Sequence, residues 1–189
     1  MRESGITMND IEYARLNRRH IIQAAKYISS NEKAIAEYGD AIEWDDLEKI
    51  PSWLFWSRDR INHMVMTAGT IFLLPSIRIW IDSKRLQETR ELIGDTVFDF
   101  IMSNTHVGND KIHSLHMLNV SENIVSAGSA VIISSHSLRL RPWLINTLPK
   151  PKGKLDPILA EEIMKHTLFV LDQTRSNIVD NHTNEKQSQ

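Results

Sequence analysis

The most constraining feature of this 189-residue chain is one apolar window, INHMVMTAGTIFLLP, which runs from Ile61 to Pro75. Its apolar residues recur at helical spacing and also fill much of the opposite side, a pattern typical of a helix that is buried nearly all round. A membrane span needs about 20 continuous apolar residues, and here Asn62 and His63 interrupt one end while Arg78 follows the other. The window therefore predicts the central core helix of a globular domain. We expect it to end at Pro75, because an interior proline removes a backbone hydrogen bond and clashes with the preceding turn.

Small residues predict where helices approach each other closely. Gly69 lies inside the apolar window, where glycine costs about 1 kcal/mol relative to alanine in a helix. Close approach of a neighbouring helix is the reason we expect for its presence. A second cluster of small residues, SAGSA, runs from Ser126 to Ala130 within a predicted helix over Ser121–Ser134. This cluster also predicts tight packing against another helix.

Local signals elsewhere in the chain favour helices. An amphipathic pattern covers Asn9–Ser30. Asp82 is a suitable N-cap for a helix closed by Gly94, and Asp156-Pro157 combines a capping residue with a proline at the first helical position. Shorter helices are expected over the ranges 32–38 and 45–50. With no convincing β-hairpin, we predict an all-α, compact single domain of about eight or nine irregularly packed helices.

The expected domain limits follow from composition. Residues 1–8 are predicted to be a flexible N-terminus and residues 9–176 the helical domain. The polar end of the chain, residues 177–189, is predicted to be a disordered tail. The first residues lack an apolar core after their charges, which argues against a secretory signal.

Charge and cysteine content exclude several classes of function. The net charge of −2 indicates no general attraction to nucleic acid or to anionic lipid. The chain has no cysteine, so disulfides, thiolate zinc sites, iron–sulfur clusters and cysteine nucleophiles are all excluded. A reducing compartment fits this composition.

Histidines offer one candidate metal site. His113 and His116 stand three residues apart in KIHSLHM, and His106 lies just upstream. A spacing of three places two side chains on the same side of a helix, but a zinc site needs further ligands at compatible positions. A small helical enzyme with a metal at His106, His113 and His116 is therefore an alternative hypothesis, and a surface or structural role is favoured.

Motifs for catalysis are missing from the chain. It contains no GxSxG elbow, Walker loop or GxGxxG fingerprint. The serines of the Ser126–Ala130 cluster lie in a predicted helix of small residues, with no base or orienting group that the sequence can place beside them. We expect a protein that is not an enzyme and that carries no cofactor.

Two short stretches are candidates for binding other proteins. PSWLFW places four large apolar residues together, and tryptophan is favoured at the centres of interfaces, although such residues also fill cores. LRLRPW alternates basic and apolar residues, which suits either phosphate and base contacts or arginine stems that cover a core. A helical nucleic-acid-binding regulator is thus a further alternative. The predicted protein-binding residues are Trp53, Phe55, Trp56, Arg139, Arg141 and Trp143.

Three stretches together resemble the K-type accessory proteins of bacterial type III secretion systems. LEKIPSWLFWSRDRINHMVMTAG resembles the family's proline-tryptophan entry into a helix with an Ala-Gly pair. LLPSIRIWIDSKRLQETRELIGDTVFDFIM resembles the family's next block, and AGSAVIISSHSLRLRPWLINTLPK resembles a later one. The resemblance covers about residues 48–102 and 124–171, and Ser135-His136 departs from it where a small residue and proline are typical. The matching positions are Ala68, Gly69, Arg78, Ile81, Asp82, Leu86, Ile93, Gly94, Leu138, Arg139, Leu148 and Pro149.

This resemblance implies a specific role. It implies a cytoplasmic, mostly helical, non-enzymatic adaptor in the sorting platform beneath the injectisome. The implied partners are the cytoplasmic domain of an inner-membrane ring protein and the pod protein that carries the export ATPase assembly. The implied location is peripheral, at the cytoplasmic face of the inner membrane through protein contacts, with no membrane insertion and no nucleic acid. We expect docking through two separated faces, one near Trp53 and Trp56 and one at the Arg139–Trp143 segment.

Overall fold

The computed structural model describes residues 8–30, 47–104 and 119–185, and all regular structure within these ranges is helical. This confirms the all-α prediction. The described part contains seven α-helices, fewer than the predicted eight or nine, and one short 3-10 helix (Ser52–Phe55). The α-helices are α1 (Met8–Ser29), α2 (Arg58–Arg78), α3 (Ser83–Ile93), α4 (Asp95–Asn104), α5 (Val120–Ser134), α6 (Arg141–Thr147) and α7 (Pro157–Glu185).

Helix α2 is the centre of the fold, as the apolar window predicts. It packs most extensively against α5 and also contacts α7, α3 and α4. Its buried residues run almost without interruption from Met64 to Ile77, so the helix is covered on nearly every side. Within the described residues, no helix is both long enough and apolar enough to cross a membrane.

The buried threonines of α2 and α7 satisfy their own hydrogen bonds. Thr67 and Thr70 on α2 are buried, and each hydroxyl donates to the backbone carbonyl one turn earlier, at 2.8 and 2.9 Å. Thr167 and Thr174 on α7 do the same, both at 2.8 Å. Because a buried hydroxyl is costly only when it lacks a partner, these threonines are compatible with the apolar surroundings.

The prediction that Pro75 ends the central helix is wrong. Helix α2 continues through Pro75 to Arg78. The proline removes one backbone hydrogen bond, the one that its position would donate to the carbonyl of Ile71, and only three helical residues follow it. The additional turn buries Ser76 and Ile77, and the burial of this turn compensates for the proline. The residues from Ser76 to Arg78 therefore belong to α2.

Helices α2 and α5 cross at two glycines. A Cβ atom built on Gly69 would lie 2.8 Å from the carbonyl carbon of Ile124, and one built on Gly128 would lie 2.8 Å from the carbonyl carbon of Val65. Real Cβ atoms do not approach backbone this closely, so only glycine fits at either position. The pairing of Val65 with Gly128 and of Gly69 with Ile124 also shows that the two helices are antiparallel. Both clusters of small residues thus have the role that the sequence predicts for them.

Capping residues set several helix ends where the sequence predicts them. The backbone N–H of Lys84 donates to Oδ1 of Asp82 at 2.9 Å, and the N–H of Ile158 donates to Oδ1 of Asp156 at 2.9 Å. Gly94 has a φ of +83°, a conformation that other residues rarely adopt. It allows α4 to begin directly after α3.

Other predicted boundaries differ or cannot be compared. The backbone of α7 remains helical to Glu185, beyond the predicted limit at residue 176. No proline or glycine occurs between residues 176 and 185, so no helix-breaking residue stops the helix there. The predicted helix over 32–38 and residues 1–7 lie outside the described residues, and of the range 45–50 only residues 47–50 are described.

Candidate partner-docking surface

The structure places two of the predicted binding residues in the core. Trp53 in the 3-10 helix and Trp143 on α6 are each 2% exposed. The indole N–H of Trp143 is buried with no hydrogen-bond partner among the described residues. Neither ring is available to a partner at the surface, and both act as packing residues in this conformation.

The two predicted faces meet in space. The ring of Trp53 packs edge-on against the ring of His136, with 5.7 Å between centroids. His136 lies in the same loop as Arg139, and Leu54 lines a small cavity together with Trp143. The PSWLFW and LRLRPW stretches therefore form one junction where α1, α5 and α6 meet, and the two stretches do not supply separated faces.

The remaining aromatic residues of PSWLFW are half-buried and already have ring partners. Phe55 packs edge-on against His20 of α1, with 5.5 Å between centroids. The guanidinium carbon of Arg60 lies 3.5 Å from the ring centroid of Trp56, a cation–π contact. Both side chains contribute to joining the 3-10 helix to its neighbours.

Arg141 holds the end of α5 in place. Its Nε donates to the carbonyl of His136 at 2.9 Å, and its Nη2 donates to the carbonyl of Ser134 at 2.9 Å. The last carbonyls of a helix lack partners within the helix, and a cation near them also interacts favourably with the helix dipole. The predicted binding residue Arg141 is therefore a rigid, half-buried positive group, whereas Arg139 is exposed.

The surroundings of His136 favour its neutral form. Burial lowers its pKa from the usual value, the hydrogen bond between Nδ1 and the carbonyl of Ile132 raises it, and the nearby Arg141 charge lowers it. The distance from Nδ1 to the Ile132 oxygen is 2.7 Å, which requires Nδ1 to carry the hydrogen. A neutral ring suits its contact with the edge of Trp53.

An apolar groove opens beside this junction, and we call it the α5–α6 groove. It has a volume of about 320 Å³ and is lined by Ile133, Ser134, Leu138, Arg141, Pro142, Ile145, Asn146, Pro151, Gly153 and Lys154. Two of its apolar side chains are open to solvent, Leu138 at 77% and Ile145 at 49%. Large apolar side chains that border a groove with polar residues at its margin are typical of a protein–protein interaction site.

A strap of irregular chain, residues 151–155, forms one wall of the groove. Two serines of α5 hold it: Ser126 Oγ accepts from the N–H of Lys152 at 2.9 Å, and Ser134 Oγ accepts from the N–H of Leu155 at 3.2 Å. A second hollow of about 270 Å³ lies along α5, and Gly153 lines both hollows. The apolar surface of α5 therefore continues on both sides of the strap.

The alternative metal site falls outside the described residues. His106, His113 and His116 all lie in the range 105–118, which the structure does not describe. In the described part of the chain, no three His, Asp or Glu side chains are grouped so as to hold a metal ion. Ser126 and Ser129, the serines considered above as nucleophiles, both have hydrogen-bond partners. The Ser126 hydroxyl accepts from the N–H of Lys152 in the strap, and the Ser129 hydroxyl donates to the carbonyl of Val125 at 3.0 Å.

The binding residues predicted from the sequence do not include the exposed apolar residues of the groove, Leu138 and Ile145. The interpretation of LRLRPW as a binding stretch selects Arg139, Arg141 and Trp143, whereas Leu138 is the side chain that the structure exposes beside the groove. The alternation in LRLRPW predicts that residues two apart share a face, whereas the chain turns through 138–140 before α6 begins. Comparison of the chain with protein-family models, with curated proteins and with solved structures gave no match.

Proposed function

We propose that this protein is a non-enzymatic adaptor of a type III secretion injectisome. It links the cytoplasmic domain of the inner-membrane ring protein to the sorting-platform pod protein, and it works at the cytoplasmic face of the inner membrane through protein contacts. The resemblance of residues 48–102 and 124–171 to the K-type accessory proteins is the reason for proposing this system. The all-α fold is compatible with that resemblance.

The observation that carries the proposal is the α5–α6 groove. It combines solvent-exposed Leu138 and Ile145 with the fixed charge of Arg141. An adaptor requires a rigid surface whose exposed apolar residues become covered in the assembly. We assign this groove to a segment of one of the two partners, ring protein or pod protein.

The test is recovery of partners from the native bacterium. Tagged wild-type protein is expected to co-purify with ring and pod proteins, identified by mass spectrometry. The double variant Leu138→Asp/Ile145→Asp is expected to lose one of the two partners, because two carboxylates would be desolvated in an apolar contact. Ile158→Asp is a matched control, since Ile158 is 78% exposed and does not line the groove.

Two results would contradict the proposal. Wild-type protein that recovers neither ring nor pod proteins removes the assignment to this secretion system. A double variant that recovers both partners as well as the wild type removes the groove from the mechanism. Circular dichroism of both variants checks that their folds are intact.

A further inference from the structure

We infer that the α5–α6 groove binds an acidic amphipathic segment of its partner, one that carries apolar anchors flanked by carboxylates. This inference rests on the proposed adaptor function and specifies the chemistry of the bound segment. Three features carry it: the charges around the groove, the fixed position of one of them, and the continuation of the apolar surface beyond the strap.

The charges that line the groove are all positive. Arg141 and Lys154 contribute side chains to it, and no Asp or Glu occurs among the described residues that form its walls. This local excess contrasts with the net charge of −2 for the chain. Two carboxylates flank the strap, and neither lines the groove. Glu122 of α5 is paired with Lys152 at 2.7 Å, and Asp156, directly after the strap, accepts from the N–H groups of Ile158 and Leu159 at the start of α7.

The position of Arg141 favours a carboxylate partner. Two of its nitrogens donate to carbonyls at the end of α5, so the side chain is held in one geometry before any partner arrives. A group that is already ordered loses little conformational entropy on binding. Arginine remains charged at every physiological pH and matches the planar geometry of a carboxylate.

The second hollow indicates that the bound segment has more than one anchor. Gly153 separates two apolar hollows of about 320 and 270 Å³ along α5. A partner helix or extended segment presents apolar side chains at regular spacing, and here one side chain fits beside Leu138 and another beside Phe72 across the strap. Carboxylates on the same segment then face Arg141 and Lys154.

The first experiment is site-specific photo-crosslinking with the full chain in the native bacterium. A photoreactive amino acid replaces Leu138, and a second strain carries it at Ile158 as the control. Mass spectrometry then identifies the crosslinked peptide. A crosslink from position 138 to a segment with net negative charge and regularly spaced apolar residues supports the inference. No crosslink at 138, or a crosslink to a neutral or basic segment, overturns it.

The outcome separates this inference from the proposed function. An acidic amphipathic segment from a protein outside the secretion apparatus supports the groove chemistry and contradicts the adaptor role. A basic segment from the ring or pod protein supports the adaptor role and contradicts the groove chemistry.

Reversing one charge of the groove tests quantitatively whether it binds carboxylates of the partner. The probe is a synthetic peptide with the sequence of the crosslinked segment. Lys154→Glu is expected to weaken its binding by about tenfold, a typical effect for a residue that matters at an interface. A peptide with lysine in place of its carboxylates is expected to bind this variant better than the wild type. Equal binding of both peptides to both proteins overturns the inference.

Discussion

Gly69 and Gly128 set the distance between the two most extensively packed helices of the molecule. At each position a methyl group would overlap the backbone of the facing helix, and backbone cannot move aside as a flexible side chain does. We predict that Gly69→Ala and Gly128→Ala each lower the free energy of unfolding by about 2 kcal/mol, since overpacking a tight site costs roughly 1–3 kcal/mol and the gain in helix propensity is smaller. Urea denaturation measures the change.

The matched control is Gly153→Ala, where an added Cβ meets no atom within 4 Å. This change is expected to leave stability within about 0.5 kcal/mol of the wild type. The double variant Gly69→Ala/Gly128→Ala is expected to cost less than the sum of the single changes, because helices already separated by one methyl group accommodate the second. Full additivity would show that the two glycines act at independent sites.

The environment of His136 links stability to pH. Its folded pKa lies below the usual value of 6.5, with burial as the main cause. Between the folded and the unfolded pKa the unfolded chain binds more protons, so protonation favours unfolding there. We predict that stability is greatest above about pH 6.5 and declines as the pH falls towards the folded pKa of His136.

This pH dependence has a direct measurement. The free energy of unfolding is compared at about pH 7.5 and about pH 5.5 for the wild type and for His136→Asn, whose amide can still donate to the Ile132 carbonyl. The wild type is expected to lose more stability than the variant over this interval. His166, also shifted downward by burial, contributes to both proteins and cancels in the comparison. Equal losses would contradict the assignment.

At the scale of elements, two serine hydroxyls attach the strap to α5. Ser126 and Ser134 accept the backbone N–H groups of Lys152 and Leu155 in the strap. A Cβ atom built on Gly153, which lies between these two attachments, would meet no atom within 4 Å. We predict that Ser126→Ala/Ser134→Ala increases amide hydrogen exchange at Lys152 and Leu155 at least several-fold, because each lost bond removes about 1 kcal/mol of local stability.

The control is a serine of α5 whose hydroxyl does not bind the strap. Ser129 is buried and donates to the carbonyl of Val125 in its own helix, so Ser129→Ala is expected to leave exchange in the strap unchanged. Faster exchange throughout α5 in the double variant would show that the serines support the helix itself and do not act mainly on the strap.

The helices and their connections also show which structural features can be predicted from the sequence and which cannot. Local chemistry, such as the cap at Asp82 and the turn at Gly94, is readable because it depends on neighbouring residues alone. The passage of α2 through Pro75 is not readable in this way, since it depends on the burial of Ser76 and Ile77 against other helices. The candidate groove escaped for the same reason, because its walls come from α5, α6 and the strap, which are brought together by the fold.

At the scale of the whole molecule, the core is continuous. Buried apolar residues from α1 to α7, including Ala24, Trp53, Met64, Ile132 and Ile163, belong to one cluster. Because the described residues share one core, we expect them to unfold in one step. The single domain over 9–176 stays a prediction. Three of the five tryptophans, Trp53, Trp56 and Trp143, belong to the two stretches that form the α1–α5–α6 junction. Fluorescence is therefore weighted towards this junction, while circular dichroism reports on all helices.

We therefore predict that tryptophan fluorescence and far-ultraviolet circular dichroism give coincident urea transitions for the wild type. Gly69→Ala acts in the middle of α2, remote from both buried tryptophans in sequence, and is expected to shift the two curves together to lower urea. Separate transitions would indicate that the junction beneath the α5–α6 groove unfolds independently of the α2–α5 crossing. In that case the groove would not be a rigid surface, and the premise of docking without rearrangement would fail.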